Sequence, residues 1–165
     1  MKYLSLILSL TFIQALSAQT KYTAFCGNVF CVDLPVGFNV KSYPENNTDN
    51  ETYEVTKKGV KFINISASIE SRYDMDASVS NIQEWYQYIL KKRPEISYKL
   101  QKDNWFVVSG VDPATGNIFY WKKIWQGEFI SDLYIEYPKS KKDQIEPYLG
   151  AIAKSFVIHW EETGE

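Results

Sequence analysis

The chain has 165 residues, with 20 acidic against 18 basic side chains and a formal net charge of −2. Its charges are interspersed, and the lack of a basic stripe excludes the phosphate-neutralising surface of a nucleic-acid binder. Aromatic residues make up 16% of it, enough for a few buried rings to anchor a small core.

Met1-Lys2 carries one positive charge. The run from Tyr3 to Leu16 is apolar apart from Ser5, Ser9, Thr11 and Gln14, and Ser17-Ala18-Gln19 supplies small residues at its end. These are the three parts of a secretory signal, so residues 1–18 read as a signal peptide cleaved after Ala18 or Ser17. The alternative is a retained anchor helix, but the run falls short of the roughly 20 apolar residues that span a bilayer. Residues 19–165 then read as one α+β domain, exported to the periplasm or secreted, with no transmembrane segment in its mature form.

Phe25-Cys26-Gly27-Asn28-Val29-Phe30-Cys31 joins two cysteines to a Gly-Asn turn signal, and an even count in an oxidising compartment points to a disulfide. With a four-residue loop, 27–30, the cysteines face each other; with a two-residue loop, Cys26 opposes Val29 and they are offset. The pair lacks further ligands for zinc and the two-residue spacing of a redox motif, so a structural staple is expected. Pro35-Val36-Gly37 ends that strand, and another starts at 39–43. Residues 44–50 form a polar loop, after which Tyr53 and Val55 alternate with polar neighbours. Across Val60–Ile69 the apolar parity switches after Phe62 to Ile63, Ile65 and Ala67. A bulge produces such a switch, as does a strand covered on both faces.

Ser80-Asn81-Ile82-Gln83 reads as a capping box. It opens a helix whose stripe is Ile82, Trp85, Tyr86, Ile89 and Leu90; Lys91, Lys92 and Arg93 complement its dipole, and Pro94 stops it. Four strands follow. Ile96, Tyr98 and Leu100 share one face of the first; Trp105–Val111 is apolar on both faces; residues 118–125 return after a Pro- and Gly-containing loop; and Phe129, Leu133, Ile135 and Tyr137 share a face of the last. Residues 142–154 give a second helix, with Pro147 tolerated near its start, and residues 155–160 a final strand. Strands in hairpin order with two main helices packed on them make an α+β fold on an antiparallel β-sheet.

Several of these segments carry a resemblance. Asp103-Asn104-Trp105-Phe106-Val107-Val108-Ser109-Gly110, Ile118-Phe119-Tyr120, Tyr137-Pro138, Lys154-Ser155-Phe156 and the entry segment Asp33-Leu34-Pro35-Val36-Gly37-Phe38 resemble the PsbP-like fold. The extrinsic photosystem II protein, a Ran-binding nuclear import factor and many small bacterial exported proteins share that fold. The resemblance implies a mostly non-catalytic role as accessory subunit, adaptor or toxin chaperone. It is carried by packing residues, transfers no binding motif, and leaves the CxxxxC hairpin unmatched.

Candidate sites are few. His159 is the only histidine, placed between Ile158 and Trp160 in a strand context. Ser109-Gly110 lacks the flanking glycine of a nucleophile elbow, having Val107 and Val111. Asp74-Met75-Asp76 starts like a calcium loop, but Val79 stands where the turn glycine belongs and Trp85 where the closing glutamate belongs. Asn46-Asn47-Thr48, Asn50-Glu51-Thr52 and Asn64-Ile65-Ser66 are sequons, read as accidental. Phe119, Trp121 and Trp125 have one parity, Tyr120 has the other, and Tyr134 lies on the polar side of its strand. Tyr120, Trp121, Trp125 and Tyr134 are therefore the candidate interaction surface, unless a helix covers that face. The expectation is an exported, non-catalytic binding or accessory domain without cofactor or metal, acting through a protein partner as adaptor, inhibitor or immunity factor. The alternative is a small hydrolase or ligand carrier whose site assembles only in three dimensions.

Overall fold

A computed structural model describes residues 20–44, 46, 50–58, 60–69 and 79–159. The expected signal segment, the Asp74 loop and Trp160 lie outside the described residues. In chain order come strands β1 (Tyr22–Cys26), β2 (Phe30–Pro35), β3 (Asn39–Ser42), β4 (Asn50–Lys57) and β5 (Val60–Ile69), then helix α1 (Ile82–Lys92). Strands β6 (Ile96–Gln101), β7 (Trp105–Val111), β8 (Ile118–Gln126) and β9 (Phe129–Tyr137) follow, then a 3-10 turn (Lys139–Lys141), helix α2 (Lys142–Ser155) and β10 (Val157–Ile158). The large sheet has the order β3-β4-β5-β9-β8-β7-β6 and the small one β1-β2-β10. Every neighbouring pair is antiparallel. The chain lays down β3 to β5, crosses by α1 to the far edge, and returns until β9 closes against β5.

The fold is α+β as expected, and its helices take opposite faces of the large sheet. Ile82, Tyr86 and Ile89 of α1 pack on Phe106, Val108 and Phe119. Ile145 and Ile152 of α2 join Phe30, Val32 and Leu34 of the small sheet on Ile65, Leu133 and Ile135. Strand β9 is covered from both sides, which is why six of its nine residues, including Ser131 and Asp132, are buried.

Four local expectations are settled or corrected. The parity switch in β5 is a bulge: Val55 pairs with Ile63 and Thr56 with Lys61, so Phe62 is the extra residue and both Phe62 and Ile63 enter one core. The N-cap of α1 is Asn81, one residue later than expected; its side chain accepts from Glu84 N at 2.9 Å, and the Glu84 carboxylate accepts from Ser80 N and Oγ. Asn caps as well as Ser, and the shift puts a charged Glu rather than Gln in the first turn. Pro147 stands inside α2 rather than in its first turn. The Asp143 carbonyl that loses its donor lies on an exposed turn, open to solvent. The last strand shrinks to Val157–Ile158 and pairs with β2, not with the large sheet. Among the described residues no helix is long and apolar enough to cross a membrane.

Candidate functional site

Beyond the core shared with α2, the β7–β8 end of the sheet borders a cleft of about 540 Å³. Two-residue alternation aims Trp105, Val107, Tyr120 and Lys122 to one side of the sheet, and the register Trp105↔Ile124 and Val107↔Lys122 lines them up as a floor. Phe156 and Val157, where α2 gives way to β10, form the wall.

Lys122 is the chemically distinctive residue of this cleft. It is 8% exposed, and its ammonium donates to the carbonyls of Ala153 at 2.7 Å and Phe156 at 2.8 Å, the free acceptors at the end of α2. The rings of Trp105 and Phe156 stand 5.4 and 5.9 Å from it. Burial holds its pKa down to about 8. Burial also pushes the Tyr120 phenol up to about 12, with nearby Tyr98 adding to the effect.

The rim is apolar because of a second bulge. Ile96 pairs with Gly110 but Tyr98 with Ser109, so Ser97 is the extra residue in β6. Ile96 therefore packs with the α1 cluster, while Tyr98 and Leu100 turn to the cleft side, Leu100 opposite Val107. The shared face expected for Ile96, Tyr98 and Leu100 is thereby corrected. Tyr98, Leu100 and Val157 are three of the four large hydrophobic residues left exposed among the described residues; Val157 lines the cleft, and Tyr98 and Leu100 lie on the adjoining edge strand, opposite Ser109 and the cleft-lining Val107.

The other face of β8 is closed. Lys123 and Asp132, directly opposite in register, form an ion pair at 2.7 Å with side chains 1% and 9% exposed. Trp121 Nε1 donates to the same carboxylate at 2.5 Å, and Trp85 of α1 lies 4.7 Å from the Lys123 ammonium. Of the four aromatic residues singled out by sequence, Trp121, Trp125 and Tyr134 lie half-buried in the cluster beneath α1, whereas Tyr120 lies on the cleft floor. Tyr134 stacks on Phe119 with an interplanar angle of 7°.

The remaining sequence candidates have structural places. Cys26 and Cys31 are bridged and directly opposite in register, as the four-residue loop requires. Glu51, 2% exposed, clamps that loop by accepting from Asn28 N at 2.8 Å and Val29 N at 3.0 Å, and from Tyr53 OH at 3.1 Å. His159 is exposed, its backbone N–H on the Val29 carbonyl. Ser109 donates to the Phe119 carbonyl at 2.6 Å inside the sheet, and a Cβ at Gly110 would collide with the Glu95 carbonyl. Two of the sequons sit on strands β4 and β5. No cluster of three metal-ligating side chains occurs among the described residues.

Sequence reasoning missed Lys122, Trp105 and the rim. The signal for Lys122 was available: it stands in step with Ile118, Tyr120 and Ile124, where period two predicts burial. The rim carried no such signal, because a bulge in β6 shows only once β6 is paired.

No protein-family model matches the chain, and no curated protein matches it. Among solved structures, it is similar to cyanobacterial PsbP from Synechocystis sp. PCC 6803, with a TM-score of 0.56 at 8% identity over 91% of this chain and 99% of that one. A protein of unknown function from Pseudomonas aeruginosa, described as a putative regulator, gives a TM-score of 0.46 at 9% identity over 85% and 99% of the two chains. A Bacteroides thetaiotaomicron protein gives 0.42 at 13% identity over 82% and 47%. At such identities the likeness speaks for architecture alone, and its near-complete coverage of the cyanobacterial protein leads to one statement: this chain has a PsbP-like α+β fold.

Proposed function

We propose that this protein is an exported accessory domain, non-catalytic, that acts by docking a protein partner on the open face around the β7–β8 cleft. One observation carries the reading: Val157 stands exposed on a groove floored by Trp105 and Tyr120, and Tyr98 and Leu100 stand exposed on the edge strand beside it. An exposed apolar patch with aromatic residues at its centre is the composition of a protein interface. Export rests on the sequence of residues 1–18, and the Cys26–Cys31 bridge fits an oxidising compartment.

The test is photo-crosslinking in the source cell, with benzoylphenylalanine placed at position 98 on the rim or at the exposed position 87 on α1. A defined adduct from position 98 and none from 87 is expected, and Tyr98→Glu with Leu100→Glu should abolish binding of the identified partner without lowering the melting temperature. Equal adducts from both positions, or none from 98, would refute the reading. A ligand carrier remains the second reading, favoured by the buried Lys122 at the cleft floor.

A further inference from the structure

An ammonium has three N–H groups, and the Ala153 and Phe156 carbonyls account for two of those on Lys122. Both acceptors are neutral. No aspartate or glutamate lines the cleft among the described residues, and a second cation, Lys154, stands on its wall. Its neighbour on the opposite face, Lys123, has a carboxylate at 2.7 Å. The cleft therefore holds a nine-tenths buried positive charge with no negative group beside it, in a volume within the roughly 300–1,000 Å³ of small-ligand sites. A cation taken from water without a counter-ion is costly, and an anion in the same cleft restores the balance.

We propose that the cleft binds a carboxylate carried on an apolar body, with the Lys122 ammonium as its counter-ion and Trp105, Tyr120 and Val157 covering the body. The carboxylate comes either from a free organic acid or from the C-terminus of a partner chain ending in an apolar residue. The second source rests on the docking reading above; the first does not.

The probe is 4-phenylbutyrate, titrated into the purified full chain at neutral pH and followed by tryptophan fluorescence and calorimetry, with neutral 4-phenyl-1-butanol as control. Saturable binding of the acid is expected, about tenfold or more tighter than that of the alcohol. Lys122→Met should weaken the acid by a similar factor and leave the alcohol unchanged. Gly150→Phe supplies a decision that does not touch the core: Gly150 lines the cleft, a Cβ there meets no atom within 4 Å, and the added ring blocks entry. It should abolish binding of both compounds with no drop in melting temperature. A hexapeptide ending in phenylalanine is compared as free acid and as amide. An acid peptide that outbinds both its amide and phenylbutyrate assigns the source to a partner's C-terminus, whereas phenylbutyrate binding at least as tightly assigns it to a free acid. Phenylbutyrate binding that survives Tyr98→Glu with Leu100→Glu supports the cleft independently of protein docking. Absence of saturable binding by either acid overturns the proposal, as does binding insensitive to Gly150→Phe, even should Lys122→Met fail to fold.

Discussion

Lys122 and Lys123 are consecutive residues of one strand, yet they meet opposite environments. Lys123 points under α1, where Asp132 neutralises it and Trp85 and Trp121 enclose the pair. Lys122 points to the α2 side, where its only hydrogen-bond acceptors among the described residues are two backbone carbonyls and an open cleft adjoins it. The α1 face is finished internally: charge is matched to charge, and the aromatic rings pack on one another edge-to-face, tilted or, for Phe119 and Tyr134, stacked. At the β7–β8 end, the other face is left with surplus charge and exposed apolar groups. A closed face serves stability, and an unfinished one is where a second molecule can contribute.

The comparison breaks most severely at the closed face. Asp132→Asn leaves the Lys123 ammonium buried without its carboxylate and should cost on the order of 3–5 kcal/mol, read from the urea midpoint at unchanged slope. Lys122→Met should cost distinctly less, since the carbonyls it abandons border an open cleft. Replacing Lys123 and Asp132 together with leucine should recover most of the loss. Equal costs for Asp132→Asn and Lys122→Met would erase the distinction between the faces.

Titration sharpens the comparison next. Lys122 ionises near 8 in the folded protein against an ordinary 10.5, so between these values the unfolded chain holds more protons and stability rises with pH. The gain is on the order of 3 kcal/mol at most, reached once the pH exceeds both values. Burial raises Tyr120 and Tyr137 to about 12, with Tyr98 and Glu146 as lesser causes. Above their ordinary 10.0 the folded state holds the extra protons and stability falls. Thermal melting from pH 7 to 11 should therefore pass a maximum at about pH 10. In Lys122→Met the rising limb should vanish and the falling limb remain; a rising limb in that variant would show that another group carries it.

The smallest effect separates two glycines. Gly150→Ala, on an exposed turn of α2 beside the cleft, should stabilise by about 1 kcal/mol through helix propensity. Gly110→Ala, beneath the α1 side of β7, should destabilise, since its Cβ has no room beside the Glu95 carbonyl. Calorimetric melting of the two variants checks both signs.

Much of the scaffold was legible because it is written locally. The meander from β6 to β9 follows from period two and from turn residues such as Asp112-Pro113 and Gly116-Asn117, and α1 from a 3.6-residue stripe ended by Pro94. The disulfide was legible up to a choice between two loop lengths, which the pairing of Cys26 with Cys31 decided. The cleft was far less readable. Trp105 comes from β7, Tyr120 from β8 and Phe156 from the end of α2, and no local pattern says that these meet.

By itself the amino-acid order determined the alternating strands, the two amphipathic helices, their stops and the antiparallel hairpins, because each depends on neighbours within a few residues. Only the tertiary structure decided that the helices take opposite faces, that bulges at Phe62 and Ser97 redirect side chains, and that two adjacent lysines receive a carboxylate and a cleft. Those outcomes depend on which distant strand pairs with which, and on where α2 stops covering the sheet.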